Sequence, residues 1–313
     1  PDDDPRAQEV RERIAACERA RRRHDVAARA KALWDEAIEA LRASRIEQAQ
    51  AALRALTELD PSDERARRTL AWAERLDDMV YVPAGPAVIG TDRADALAAR
   101  PQHTVQLPAF FIDRYEVRNR AFARWVRETG AAPPRHWKRG EDGTVGFAHE
   151  QADHPVVEVD FEQARRYAAW AGKRLPTEFE WEKAARGGDA RIWPWGNDPH
   201  KRRVNVAADS SERLPIHTRP VGTSADDRSP YGCMDMAGNV SEWCDSPFVP
   251  YPGGDPDAAP FDPKRKVLRG GSWRYGLHYA RAFNRDRATP DSHSPYVGFR
   301  CVVDIPDWLE ALR

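Results

Sequence analysis

The pattern of apolar positions along the chain changes near residue 78. Before that point apolar residues recur at helical spacing, as in Leu33, Ala37 and Leu41, and glycine is absent. A second apolar run follows Ser44 and stops before Pro61, whose ring cannot continue a helix. Residues 1–78 are therefore predicted to form an α-helical N-terminal segment.

The two helical runs and the stretch after Pro61 resemble one tetratricopeptide-type helical hairpin followed by the first helix of another. One such unit cannot bury its own apolar face, so we expect this segment to contact another protein, to pack on the second domain or to self-associate. A helical spacer or a coiled coil without a partner is the alternative.

From Tyr81 onward the apolar runs are short and separated by Gly and Pro, which predicts a second domain over residues 79–313. Strand-length runs lie at 80–82, 105–111 and 156–159, and two short amphipathic helices are predicted at 161–172 and 176–187. Gly/Pro/Asp-rich stretches at 186–232 and 245–266 predict long loops.

Composition narrows the class of protein. The chain has 49 Lys and Arg against 50 Asp and Glu, so a generic nucleic-acid binder is not expected. Four cysteines lack the spacing of a zinc site or a disulfide scaffold, which indicates a reducing compartment. No apolar run is long enough to insert into a membrane, and no secretory leader is visible, so we expect a cytoplasmic protein.

Five blocks in a fixed order carry a family resemblance. They are YVPAGPAVIGTD, FFIDRYEVRNRAFARWV, KRLPTEFEWEKAARGG followed by WPWGN, GCMDMAGNVSEWC, and VLRGGSW ending in GFRCVV. Together they resemble the formylglycine-generating enzyme (sulfatase-modifying factor) superfamily over residues 80–303. The resemblance implies an α+β, C-type-lectin-like fold with long loops.

The same resemblance bears on catalysis. Oxidases of this family bind copper through two cysteines placed shortly after the GGS motif, because soft thiolates suit Cu(I). Here those positions hold Tyr275 and Ala280, so no copper is expected. Iron-dependent relatives draw histidines from an additional helical domain, whereas residues 1–78 offer only His24. We therefore expect a protein that is not an enzyme.

Family members also use calcium to rigidify their loops. Asn239, the carbonyl of Val240 and Glu242 resemble one such site, and hard oxygen donors suit Ca²⁺. Asn205 and Val206 resemble the start of a second site whose later part is absent. The alternative is an Asn that caps a turn and a Glu that pairs with an Arg.

The segment after GGSW, residues 274–296, has an unusual composition. Lys, Glu, Gln, Met and Trp make up 49 of the 313 residues but none of these positions, where about four would be expected. The residues present are reachable by altering adenines of an AAC codon. This resembles the variable proteins of diversity-generating retroelements, which carry a mutagenised ligand-binding surface on the same fold. Alternatively, the composition is a trait of the whole family.

The segment supplies candidate ligand-binding residues, since tyrosines offer stiff amphipathic area and Arg and His offer polar contacts. These candidates are Arg274, Tyr275, Leu277, His278, Tyr279, Phe283, Asn284, Asp286, Ser292, His293, Ser294 and Tyr296.

Three functions remain open. The first is a non-catalytic protein that binds a macromolecular ligand through residues 274–296. Residues 267–300 hold six Arg and two Asp, so that ligand is expected to be acidic. The second is a sensory or scaffolding domain of a bacterial kinase-linked signalling protein. The third is an oxidase of altered mechanism.

Overall fold

The computed structural model describes residues 5–140, 145–199, 204–207 and 217–312. The chain divides into two compact units, one ending at Asp77 and the other spanning Asp78–Ala311. No helix among the described residues is long and apolar enough to cross a membrane.

The first unit is helical, as predicted. Its helices are α1 (Pro5–Arg42), α2 (Ile46–Leu59) and α3 (Glu64–Ala73). Ser44 adopts a positive φ of 57° and reverses the chain between α1 and α2. The Asp63 carboxylate accepts a hydrogen bond from the Ala66 amide at 2.9 Å and so begins α3. The amphipathic spacing seen in the sequence therefore produces three helices. What their exposed faces contact stays a prediction.

The described residues of the second unit form eleven short strands and three α-helices. The strands are β1 (Met79–Val82), β2 (Gly85–Ile89), β3 (His103–Leu107), β4 (Phe110–Asp113), β5 (Lys138–Arg139), β6 (Val145–Gly146), β7 (Ser241–Phe248), β8 (Asp262–Arg269), β9 (Asp286–Ala288), β10 (Val297–Gly298) and β11 (Val302–Asp304). The helices are α4 (Asn119–Thr129), α5 (Phe161–Trp170) and α6 (Glu178–Arg186).

Two small sheets form the centre of this unit. One has the order β1-β4-β11, and the other has the order β10-β7-β8-β9. Strands β2 and β3 form a separate antiparallel pair, as do β5 and β6. All pairs are antiparallel except β10 with β7, which is parallel. The segment of interest, residues 270–296, thus connects β8 to β10 on one sheet.

Helices α5 and α6 begin where their capping boxes predict. Asp160 and Gln163 exchange side chain to backbone hydrogen bonds at the start of α5, and Thr177 and Glu180 do the same at α6. Trp181 on α6 is completely buried in a core that includes Phe110, Ile112 and Phe248. This places α6 against both sheets and brings its acidic residues close to β8.

Three strand and loop predictions differ from the structure. The apolar run at 105–111 is divided at Pro108, because proline has no amide hydrogen for the ladder, so β3 and β4 are separate strands. Residues 156–159 do not form a strand. Their apolar side chains are buried, and the neighbouring Pro155 forms an isolated β-bridge with Arg118. The predicted loop 245–266 is shorter in the structure, because the end of β7 and the start of β8 occupy its two ends. Part of the predicted loop 186–232 lies outside the described residues.

Candidate functional site

Two glycines position the segment that follows β8. Gly270 and Gly271 have φ values of 90° and 66°, which L-residues rarely adopt. A Cβ atom on Gly271 would lie 2.9 Å from backbone atoms of Tyr279 and Ala280. The segment therefore folds back tightly on itself, and a side chain at Gly271 would push it apart.

Two of the predicted ligand-binding residues are part of the core instead. Leu277 is 7% exposed and packs with Trp193, and Phe283 is 1% exposed and packs with Ala96 and Ala99. Both are predicted ligand-binding residues on the basis of residue type alone. Because their side chains point into apolar clusters, they hold the segment in place and are not available to a ligand.

Buried arginines anchor the same segment through carboxylates on α6. Arg285 donates to both oxygens of Glu178 at 2.7 and 2.9 Å, and Arg269 donates to Glu178 and Glu182, each at 2.9 Å. All four side chains are at most 5% exposed. A buried charge is tolerated only when paired in this way, so these arginines are structural.

The pairing changes the charge argument. Of the six arginines at 267–300, Arg269, Arg281, Arg285 and Arg300 are buried, and each forms an ion pair with a carboxylate. The local excess of positive charge is therefore largely neutralised inside the protein. Sequence reasoning missed this because the partners lie far along the chain, for example at Glu178 and Glu242.

A continuous row of aromatic rings runs along exposed and half-buried positions of the segment and extends beyond it to Trp273 and His217. His278, Tyr279, Tyr275, Tyr296, Trp273 and His217 follow one another with centroid distances of 4.0, 5.1, 5.6, 6.3 and 6.0 Å. The Arg274 guanidinium lies 5.5 Å from the Tyr296 ring centroid. We call these six rings the aromatic strip. It contains four predicted residues, namely Tyr275, His278, Tyr279 and Tyr296, and a fifth, Arg274, lies beside it.

The remaining predicted residues are half-buried and are not part of this row of rings. Asn284 bonds through its backbone to Arg281, and Asp286 lies in β9. The Ser292 and Ser294 hydroxyls are 3.5 Å apart. His293 Nε2 lies 3.6 Å from an Asp160 carboxylate oxygen. The structure gives no ring contact between these residues and the strip.

One end of the aromatic strip borders a cavity of about 260 Å³. Trp273 and His217 belong to both the strip and the cavity wall. The wall of the cavity also includes Asn119, His136, His154 and Glu158. Sequence reasoning missed all four, because they come from separate loops and the start of α4 and share no motif.

Burial lowers the pKa of both His136 and His154, since desolvation disfavours the imidazolium form. His136 Nδ1 lies 3.5 Å from a Glu158 carboxylate oxygen, and His154 Nδ1 lies 2.9 Å from the Thr218 hydroxyl. The cavity wall is thus polar, with neutral imidazoles near pH 7.

Of the three residues predicted to bind calcium, Glu242 and Asn239 are engaged in hydrogen bonds within the protein and Val240 is completely buried. Both Glu242 carboxylate oxygens accept hydrogen bonds from Arg300, at 2.6 and 2.8 Å, and one also accepts from the Trp181 indole. Asn239 Oδ1 accepts from the Asn205 side chain and the Arg219 amide. This is the alternative arrangement, an Asn holding a turn and a Glu paired with an Arg.

Asn239 also supports the strip, because its carbonyl accepts a hydrogen bond from the Trp273 amide at 3.0 Å. The arrangement around Glu242 does not fit a calcium ion, since a cation there would face the Arg300 guanidinium. No cluster of three or more His, Cys, Asp or Glu side chains within the described ranges is arranged to hold a metal. Calcium binding stays a prediction, and a fall in melting temperature on adding a chelator would support it.

Three further buried carboxyl groups lie near this network. Burial raises the pKa of Glu116 and Asp227 well above the ordinary range and that of Asp235 to about 6. Repulsion from the Asp235 carboxylate is the second cause of the raised pKa at both Glu116 and Asp227. These residues belong to scattered positions, so the sequence carried no signal for them.

The fold and the GGS-to-GFR segment define a C-type-lectin-like domain of the formylglycine-generating-enzyme type. Residues 67–305 match the sulfatase-modifying factor enzyme 1-like domain, and the chain belongs to this family. The resemblance and the fold class inferred from the five sequence blocks are therefore confirmed.

Similar proteins include a formylglycine-generating enzyme of Thermomonospora curvata, which is 33% identical over 72% of this chain and 93% of its own length. A hercynine oxygenase of Mycolicibacterium smegmatis is 34% identical over 72% of this chain, which spans only 61% of that relative. Among solved structures, Treponema denticola variable protein 1 is 25% identical, with a TM-score of 0.56, and the match covers 72% of this chain and 94% of that chain.

The expectation that the chain is not an enzyme is contradicted by its relatives. Relatives at 33% and 34% identity are formylglycine-generating enzymes and hercynine oxygenases, both of which are enzymes. Tyr275 and Ala280 exclude a copper-binding thiolate pair at those two positions. They do not exclude a reaction that uses other groups.

Proposed function

We propose that this domain binds a macromolecular ligand through the aromatic strip, and that it is the variable protein of a diversity-generating retroelement. The observation that carries the proposal is the unbroken row of rings from His278 to His217 with Arg274 beside it. Tyrosine rings supply large contact areas at low entropic cost, and Arg and His supply adaptable polar contacts.

The division of the segment into exposed and buried positions supports this proposal. Arg274, His278 and Tyr279 are exposed, whereas Ala280, Ala282 and Phe283 are buried. A surface that varies must tolerate substitution without unfolding its scaffold, and these three exposed positions meet that condition. The similarity to a Treponema denticola variable protein supports the same interpretation.

Sequencing the neighbouring DNA tests the diversification. We expect a reverse transcriptase gene and a near-copy of the coding segment for residues 267–303 that differs from it at adenines. The proposal is overturned if no such copy exists nearby, or if the copy differs equally at all four bases.

A second candidate is an oxygen-dependent enzyme, favoured by the named activities of the relatives. Its reaction would use groups other than a cysteine pair, because Ala280 is a buried alanine and Tyr275 holds the other position. Oxygen uptake by the purified chain supplied with copper or iron would support this candidate. The absence of uptake with sulfatase-type peptides and with thiol substrates would count against it.

A further inference from the structure

The cavity at the end of the aromatic strip has a carboxylate and an aromatic face on its wall. Glu158 supplies the carboxylate, with its side chain 23% exposed, and Trp273 supplies the indole. The three other titratable groups on the wall are His136, His154 and His217. Burial keeps the first two neutral near pH 7. Among the described residues that line the cavity, Glu158 is the one Asp or Glu, and none is a Lys or an Arg.

The hydrogen-bonding capacity of the wall points the same way. Asn119 is 3% exposed, and its amide nitrogen donates to the Gln151 carbonyl at 2.9 Å, which fixes the orientation of the amide. Its oxygen then has no hydrogen-bond partner within the part of the chain that the structure describes. An unpaired buried acceptor is costly, so this wall favours a group that donates hydrogen bonds.

Glu158 is held in an unusual conformation. Its φ is 56°, in the left-handed region that few residues other than glycine adopt. Its amide donates to the Ser294 carbonyl at 3.0 Å, which ties it to the segment that carries the strip. Such backbone conformations are energetically costly and persist only where surrounding contacts enforce them.

We infer that this cavity takes a single cationic, hydrogen-bond-donating group, a guanidinium or alkylammonium, held between the Glu158 carboxylate and the Trp273 indole. A cation over an indole face gains electrostatic attraction, and a carboxylate adds a charge-assisted hydrogen bond. The volume of about 260 Å³ suits one side chain or a small amine. The inference deepens the proposed function, since it gives the ligand of the aromatic strip a cation at one end.

The test measures binding of N-acetyl-arginine amide to the full chain by calorimetry and ligand-observed NMR. N-acetyl-citrulline amide is the matched neutral probe, because it keeps the shape and loses the charge. We expect the arginine probe to bind about tenfold more tightly than the citrulline probe. Equal binding of the two probes would overturn the inference.

Variants locate the binding site. Glu158→Gln should weaken binding of the arginine probe about tenfold, with Glu158→Asp intermediate. Glu162→Gln on α5 is the control, since Glu162 is an exposed carboxylate that is paired with Arg165 and does not line the cavity. Melting curves confirm that each variant is folded. Unchanged binding by a folded Glu158→Gln variant would show that the cation binds elsewhere.

Two further probes distinguish the source of the cation. Tighter binding of the tripeptide acetyl-Gly-Arg-Gly amide than of n-butylguanidinium would assign the group to a protein partner. Equal binding would assign it to a small free cation. Both outcomes support binding of a cation in the cavity. If neither probe binds, the inference is overturned. These readouts do not depend on the neighbouring DNA, so failure of the retroelement proposal would be visible separately.

Discussion

Arg274 and Arg285 lie in the same short segment and have opposite environments. Arg274 is exposed beside the Tyr296 ring, whereas the Arg285 side chain is fully buried and bound to both oxygens of Glu178. Tyr279, exposed at 42%, and Phe283, buried in an apolar cluster, form a second such pair. Residue type alone therefore does not separate recognition from anchoring in this segment.

The difference has an energetic meaning. The anchoring side chains are desolvated, so removing one leaves a cavity or an unpaired charge. The exposed residues Arg274, His278 and Tyr279 keep much of their contact with water, so removing one changes the surface and little else. Stability measurements on variants test this difference between anchoring and exposed side chains.

Glu178→Gln should destabilise the protein most. It leaves the buried Arg285 without a carboxylate partner and leaves Arg269 with Glu182 alone, and we expect a loss of about 5 kcal/mol in unfolding free energy. Urea denaturation followed by tryptophan fluorescence measures it. The matched control is Glu162→Gln at an exposed ion pair, which should change the free energy by less than about 1 kcal/mol. Equal losses in both variants would contradict the anchoring role.

Leu277→Ala should cost about 3 kcal/mol, because it empties a site packed against Trp193 and Ala280. The same denaturation measurement applies. A loss below about 1 kcal/mol would show that Leu277 is accessible and would restore it to the list of ligand contacts.

Acidification should destabilise the cavity end of the strip. Burial lowers the folded-state pKa of His136 below 6.5, its ordinary value, so its contribution to stability is present above pH 6.5 and is lost as pH falls through the lowered value. Between pH 7 and pH 5 the melting temperature of the wild type should fall further than that of His136→Gln. Parallel curves for the two proteins would show that His136 titrates normally.

The smallest effect is expected at the exposed positions. Replacing Arg274, His278 and Tyr279 together by alanine should change the unfolding free energy by less than about 1 kcal/mol, because all three are solvent-exposed. Thermal melting measures this. A melting temperature that falls as far as it does in Leu277→Ala would show that the strip is part of the scaffold and would remove the distinction between the two sets.

Much of the fold was readable from the sequence because its signals are local. Helices α5 and α6 lie where the sequence predicts helices at 161–172 and 176–187, and the five blocks identified the family. The predicted strand at 156–159 failed because buried apolar residues can line a core from an irregular segment as well as from a strand.

The site was predictable in part. The segment after Gly271 and the five residues in and beside the strip were singled out by composition, but the twelve candidates included the two core residues Leu277 and Phe283. The cavity residues were not predictable. Asn119, His154 and Glu158 carry no shared spacing, and only the folded chain places them around one space.

The sequence by itself determined the helical start of the chain, the family and the segment where its chemistry is concentrated, since all three depend on local patterns and ordered motifs. Tertiary structure decided which arginines are charged surface and which are buried anchors. It also decided that Glu242 pairs with Arg300 and that Glu158 faces a cavity. The physical reason is that desolvation and ion pairing depend on neighbours that are distant along the chain.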